Sequence, residues 1–282
     1  MRNVKPYLIL ALCTLLFGGL HASREEQELP QEVASSTTQE DFCGIRNTTF
    51  QNGEVLTYNV YYSIIGIYVN AANATFSVNQ ERLNNRPVYH ITGVGKTTSS
   101  LEWVSKVNDR FETFMDTGTL QPYKFVRNIQ EDSYRKFETV TFNRNAGTAI
   151  TNEGVYKVPG CVQDVVSALY YARNIDFNKY KTGDKINFNM FLENEVYNMY
   201  IRYLGKENIK TRYGKFRAVK FKPLLIKGTV FEGGEKMTVW VSDDENRIPL
   251  RVESPLKVGT IKVDMMGYNN LRYPLSSLKS LR

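Results

Sequence analysis

Histidine is nearly absent from this chain, with two residues in 282, His21 and His90. His21 falls in the N-terminal segment read below as a leader, so His90 stands alone. A nucleophile triad needs a base placed against a serine or cysteine. His90, in "VYHIT", alternates with strand-like residues and nominates no such partner, so it reads as a core or surface histidine. Cysteine is as scarce, and one histidine with two distant cysteines, Cys43 and Cys161, does not make a zinc site. Beyond residue 22 no run is apolar over the roughly 20 residues that cross a bilayer as a helix. Repeats of 20–50 residues are missing too, which disfavours solenoids and propellers. No metal and no cofactor is expected.

The chain opens with "MRNVKPYLILALCTLLFGGLHA", where Arg2 and Lys5 precede an apolar core and a small-residue exit. That order is the grammar of a secretory signal peptide over residues 1–22, cut near Ala22. Leu12 is too bulky for Cys13 to be a lipid-attachment cysteine. Residues 23–42 are polar and acidic, unable to bury enough surface to order themselves, and read as a disordered leader. Residues 43–271 form a single β-rich domain, followed by a polar tail over 272–282. Without Arg2 and Lys5 the chain carries 34 basic and 29 acidic residues, a net charge of about +5. The expected setting is exported, in the periplasm first, with the cell surface or the extracellular medium as alternatives. In an oxidising compartment Cys43 and Cys161 are disulfide candidates, the other reading being two unrelated buried thiols.

Period-two alternation dominates the domain. In "EVLTYNVYYSI" Leu56, Tyr58, Val60, Tyr62 and Ile64 share one face; Ile186, Phe188, Met190 and Leu192 do so in "KINFNMFLEN", and Tyr197, Met199, Ile201 and Tyr203 in "VYNMYIRY", residues 196–203. Further strands are expected at 66–79, 87–97, 104–116, 122–131, 134–144, 206–212, 215–222, 236–242, 248–253 and 257–266. The fold class is therefore mainly β, a large curved antiparallel sheet, half-barrel or barrel-like. "GCVQDVVSALYYARN" breaks the pattern: Val162, Val165, Val166, Leu169 and Ala172 recur at helical spacing, with Asp164 at the start and Asn174 at the stop. One apolar stripe needs one apolar surface, and the hollow of a curled sheet supplies it. The space the helix leaves is a cavity.

Those stretches also carry a resemblance. "FQNGEVLTYNVYY", "CVQDVVSALYYAR", "MTVWVSDDENRIPLRV" and "GTIKV", in this order and spacing, resemble the exported bacterial family called domain of unknown function 3108. The resemblance implies a soluble envelope protein with a large curved sheet and no established activity. That family is distantly similar to half-barrel lipoprotein carriers, in which a concave sheet plugged by helices binds acyl chains. Here only the strand, turn and strand around Trp240 match the carriers.

Other candidate chemistry is sparse. Asp109 and Glu112 lie three positions apart on a strand and point to opposite faces, so they are no local dyad. Asp243, Asp244, Glu245 and Asn246 lack the spacing of a calcium loop and read as a hairpin turn. Between residues 202 and 222, Arg202, Lys206, Lys210, Arg212, Lys215 and Arg217 are candidates for a basic rim that meets anionic head groups or acidic glycans; the plain alternative is the wet face of two strands. Export argues against nucleic acid. Trp103, Phe111, Leu169, Tyr170, Tyr171 and Trp240 are the candidate lining of a groove. An outer-membrane barrel is disfavoured because Lys106, Arg110 and Glu112 share one face of a strand. The reading is thus a non-enzymatic binder of a lipid-like or amphipathic ligand. The alternatives are an assembly partner of another envelope protein and a glycan hydrolase whose carboxylates are joined only by the fold.

Overall fold

The computed structural model describes residues 44–64, 66–226, 233–256 and 258–282. Fifteen strands form one antiparallel sheet. The first arm is β1 (Val55–Ile64), β2 (Ile67–Leu83), β3 (Arg86–Thr97), β4 (Asn108–Asp116), β5 (Pro122–Glu131), β6 (Tyr134–Asn143), β7 (Thr148–Ile150) and β8 (Val155–Lys157). The helix α1 (Val165–Ala172) follows, and then the second arm, β9 (Lys185–Leu192), β10 (Glu195–Lys210), β11 (Gly214–Pro223), β12 (Thr238–Ser242), β13 (Pro249–Pro255) and β14 (Thr260–Asn269), with β15 (Leu278–Leu281) beside β11. In space the order runs β8 to β1, then β14 to β9, so the two arms join at the β1–β14 pair and α1 lies in the link between the sheet's two ends.

Alternation places Leu56, Tyr58 and Val60 of β1, Phe111 and Met115 of β4, and Ile261, Val263 and Met265 of β14 inside. The sheet curls until its ends face one another without a shared backbone ladder. Glu193, in the β9–β10 turn, reaches Arg127 of β5 and Lys136 of β6, each at 2.5 Å. Phe191 of β9 packs against Phe142 and Tyr156 at 6.1 and 5.9 Å between ring centroids. Side chains therefore seam a barrel-like wall that the backbone leaves open. The turn itself has Glu193 and Asn194 at φ +50° and +65°, the pair of left-handed residues that a tight hairpin needs.

Three differences from the sequence reading have physical causes. Strands expected at 196–203 and 206–212 are one strand, β10, whose register shifts between Tyr203 and Lys206 around Gly205 at φ +90°. The strand expected from 104 starts at Asn108, because Asp132 accepts from the Ser105 hydroxyl and the Lys106 amide and holds that segment in a turn. The polar tail contains β15, unpatterned in sequence because its side chains are largely exposed and its backbone supplies the pairing. The short β7 and β8 were not foreseen. Residues 1–22 and 23–42, read from the sequence as a signal peptide and a leader, and Cys43 lie outside the described residues. Among the described residues no helix is long and apolar enough to cross a membrane.

Candidate ligand cavity

The helix is held at both ends by buried polar groups. Asp164 caps it, its Oδ1 accepting from the amides of Val166 and Ser167 at 2.9 and 2.8 Å, while the Ser167 hydroxyl accepts from the Asp164 amide. Thr113 of β4 donates to the other carboxylate oxygen at 2.6 Å. Burial pushes the Asp164 carboxyl up to about 6, against the pull of these hydrogen bonds. At the other end Arg173 makes two bonds to Glu54, at 2.5 and 2.9 Å, and donates to the Asn246 carbonyl from Nε and Nη2. All three residues are buried. Burial alone would depress the Arg173 guanidinium, but the Glu54 carboxylate outweighs it and holds it above its ordinary value. Burial likewise raises the Tyr58 and Tyr170 phenols.

This anchoring decides which way α1 faces. Val166, Ser167, Tyr170 and Tyr171 are buried against the sheet, whereas Val165, Ala168, Leu169 and Ala172 are only half-buried. The stripe expected from the sequence is thereby split: Val162 and Val166 enter the core, and the others look onto a void of about 250 Å³. Phe188, Met190 and Leu192 of β9 form one wall, Met199 and Ile201 of β10 the next. Met237, Val239, Val252 and Val263 continue it, with Leu224, Leu225 and Ile226 at one side. The charged groups on its border, Arg173 and Arg251, are already bound to Glu54 and Asp264.

Of the six groove candidates, Leu169 and Tyr170 line this void. Phe111 and Tyr171 are buried elsewhere in the core, at 1% and 0% exposure. Trp103 is 83% exposed on the turn after Leu101, its indole N–H donating to the Ser100 carbonyl. Trp240 gives its N–H to Glu207 at 2.6 Å and has Lys220 over its ring, which draws it to the far face of β12. Met199, Met237 and the Leu224–Ile226 stretch were not among the candidates; Met199 stood out only as an inward position of an alternating strand.

The basic rim is not one surface. Arg202 is bound by two nitrogens to Glu235, both at 2.7 Å, which with Tyr200 holds that carboxylate down at about 2. Lys206 pairs with Asp243 at 2.8 Å. Lys215 and Arg217 point to solvent from β11. Lys210, the last residue of β10, and Arg212, in the turn after it, sit apart. The acidic run before Asn246 is a turn, in which Asp244 accepts from Ser242, Asn246 and Ser277. His90 stacks on Phe114 and contacts Glu81 and Glu112.

Among the carboxyl groups that the fold brings together, Asp109 of β4 and Glu131 of β5 bond to each other directly. Burial, then the hydrogen-bonded Asp109 carboxylate, pushes Glu131 up to about 8. Neither residue lines the void. Between the ordinary carboxyl range and pH 8 the folded chain keeps a proton that the unfolded chain releases, so this pair lowers stability as pH rises. Partial solvent exposure screens some of the effect. Glu131→Gln is expected to raise Tm at pH 8 by roughly 2–8 °C, on the order of 1–2 kcal/mol, and to change it little at pH 5. Thermal unfolding at the two pH values checks this, and equal shifts at both would refute the shared proton.

A family model described as protein of unknown function (DUF3108) matches residues 57–266. No curated protein matches the sequence. Among solved structures, a beta-barrel-like protein of domain of unknown function DUF1849 from Brucella abortus is 8% identical with a TM-score of 0.50, covering 78% of this chain and 99% of that one. An exported protein with a YmcC-like fold from Bacteroides fragilis is 12% identical with a TM-score of 0.37, covering 79% and 98%. A LolA superfamily protein from Nitrosomonas europaea is 10% identical with a TM-score of 0.23, covering 84% and 93%. The first shares the barrel-like fold; the other two superpose too loosely to support more.

Proposed function

The chain belongs to the DUF3108 family, whose activity is unknown, and from that premise we propose that it binds one lipid-like or amphipathic molecule, with the hydrocarbon part in the void beside α1. The observation that carries this reading is the split stripe: Val165, Ala168, Leu169 and Ala172 stay half-buried and face apolar walls across open space. Burying a leucine-sized side chain is worth about 1.5–3 kcal/mol, so a stripe left short of cover favours an apolar guest. The volume exceeds the roughly 150 Å³ of an apolar cavity that takes up benzene. Met190, Met199 and Met237 on its walls are flexible and polarizable, suited to guests of varied shape.

The same proposal includes export, read from residues 1–22, and a Cys43–Cys161 bridge that ties the start of the domain to the entrance of α1. It includes no catalysis: the Asp109–Glu131 carboxyls bond to each other, closer than the roughly 5–10 Å that glycoside hydrolysis uses.

Native mass spectrometry of gently purified protein, together with titration by the uncharged dye N-phenyl-1-naphthylamine, tests the reading. The wild type is expected to carry a lipid-sized adduct or to take up the dye, and Ala168→Trp, which fills the void, to bind at least tenfold more weakly with unchanged circular dichroism. A clean apo mass with no dye uptake would overturn the proposal and favour the assembly-partner reading.

A further inference from the structure

On the other face of the sheet the chain builds a second, very different cavity. Along β14, Val263 faces the apolar void while its neighbours Lys262 and Asp264 point the opposite way. There, Tyr61 of β1, Tyr68 of β2, Arg251 of β13, Lys210 at the end of β10 and Arg212 of the β10–β11 turn enclose a cleft of about 200 Å³, with Arg282 at its border. The turn folds over β1 and β14 through aromatic contacts: the Arg212 guanidinium lies 4.3 Å from the centre of the Tyr61 ring, and Tyr213 packs on Tyr268 at 6.0 Å. The two cavities share only Arg251.

The charges here do not cancel. Asp264 is taken by Arg251 at 2.6 and 2.9 Å, and Glu253 by Lys262 at 3.0 Å. Lys210 and Arg212 have no acidic partner within 4.0 Å among the described residues. Two unpaired cations over a tyrosine-lined floor suit an oxyanion, since a guanidinium fork matches phosphate or carboxylate oxygens.

What lies beside the cleft narrows the source of that oxyanion. The β1–β2 hairpin leaves Ile67 72% and Val69 48% exposed, on the strand face opposite Tyr68, so that they stand at the end of the sheet next to the cleft and not inside it. The adjacent β13–β14 hairpin presents Val258 at 54%, fixed by the Tyr62 hydroxyl donating to its carbonyl at 3.0 Å. Apolar tips beside a cationic cleft complement a surface that is negative at its head groups and apolar just beneath.

We propose that this end of the sheet docks on an anionic lipid surface, with a lipid phosphate in the cleft of Lys210, Arg212, Lys262 and Tyr61 and with the hairpin-tip residues Ile67, Val69 and Val258 entering the interface. It is a binding site separate from the ligand cavity, and neither depends on the other.

Co-sedimentation with vesicles tests it. The full chain is expected to bind equimolar phosphatidylglycerol–phosphatidylcholine vesicles at least tenfold more tightly than pure phosphatidylcholine vesicles. Lys210→Ala with Arg212→Ala should remove that difference, and high salt should do the same to the wild type. Ile67→Ser with Val258→Ser should weaken binding while leaving the preference for phosphatidylglycerol. Ala168→Trp should bind the vesicles as the wild type does, so that loss of dye uptake and loss of docking report on different sites. Equal binding to both vesicle types, or to neither, would overturn the proposal. Saturable binding of inorganic phosphate by the wild type, absent in the Lys210 and Arg212 double variant and unaccompanied by vesicle binding, would also overturn it, leaving a site for a free oxyanion.

Discussion

Glu54→Ala is expected to cost about 3–5 kcal/mol of folding stability, because it strands a buried guanidinium without its counter-charge. Arg173 is 2% exposed, and besides the Glu54 carboxylate it donates to the Asn246 carbonyl. Asn246 in turn exchanges hydrogen bonds with the backbone of Tyr273, so one ion pair ties β1, the end of α1, the β12–β13 turn and the segment before β15. Domains of this kind have roughly 5–15 kcal/mol in hand, so the variant should unfold far earlier in urea. Glu54→Gln keeps one hydrogen bond and should lose less, and Glu54→Leu with Arg173→Met, which removes both charges, should recover much of the deficit. A loss below about 1 kcal/mol for Glu54→Ala would mean that water reaches Arg173.

Arg127→Ala should be comparably damaging, at about 3–5 kcal/mol, for the opposite reason: it takes the cation from Glu138 and leaves Glu193 with Lys136 alone. The Arg127 side chain is fully buried, 2.5 Å from both Glu138 and Glu193. Burial pushes the Glu193 carboxyl up, but Arg127 and Lys136 outweigh it and hold it below its ordinary value. In the native protein this interaction is present above the usual carboxyl range and is lost as pH falls through the lowered value. Without Arg127 the Glu193 carboxyl takes up a proton more readily, so the deficit measured by urea unfolding should be largest at pH 7 and smaller at pH 5. Amide exchange should quicken in β9, where the seam opens. A deficit that does not change with pH would assign the loss to packing instead.

The strands were legible where one face is dry and the other wet. Leu56, Tyr58, Val60 and Tyr62, and again Met190, Leu192, Met199 and Ile201, are buried where alternation put them. The helix was legible from its cap and stripe, yet its azimuth was not. Spacing groups Val165, Val166, Leu169 and Ala172 together, and the tethers of Asp164 to Thr113 and of Arg173 to Glu54, 119 residues away in sequence, turn three of them toward the void. The same limit applies to tryptophan. Trp103 and Trp240 looked like groove lining because they stand near the helix or on strands with apolar neighbours, but an indole N–H seeks an acceptor, and here Ser100 and Glu207 lie outside the void. The resemblance had a physical basis that spacing did not reveal: Glu54, Arg173 and Asn246 stand in three of the quoted stretches, and those stretches meet at one ion pair.

The partnership of β1 with β14, in which Val55 sits opposite Asn269, has a kinetic corollary. Hairpins on either arm can zip as soon as they are synthesised, but the central ladder must wait for the final strands and then close a loop of about two hundred residues. Folding should therefore show a late, slow step that unites two preformed halves. A newly made chain would stay loose along its middle until almost its last residue is free.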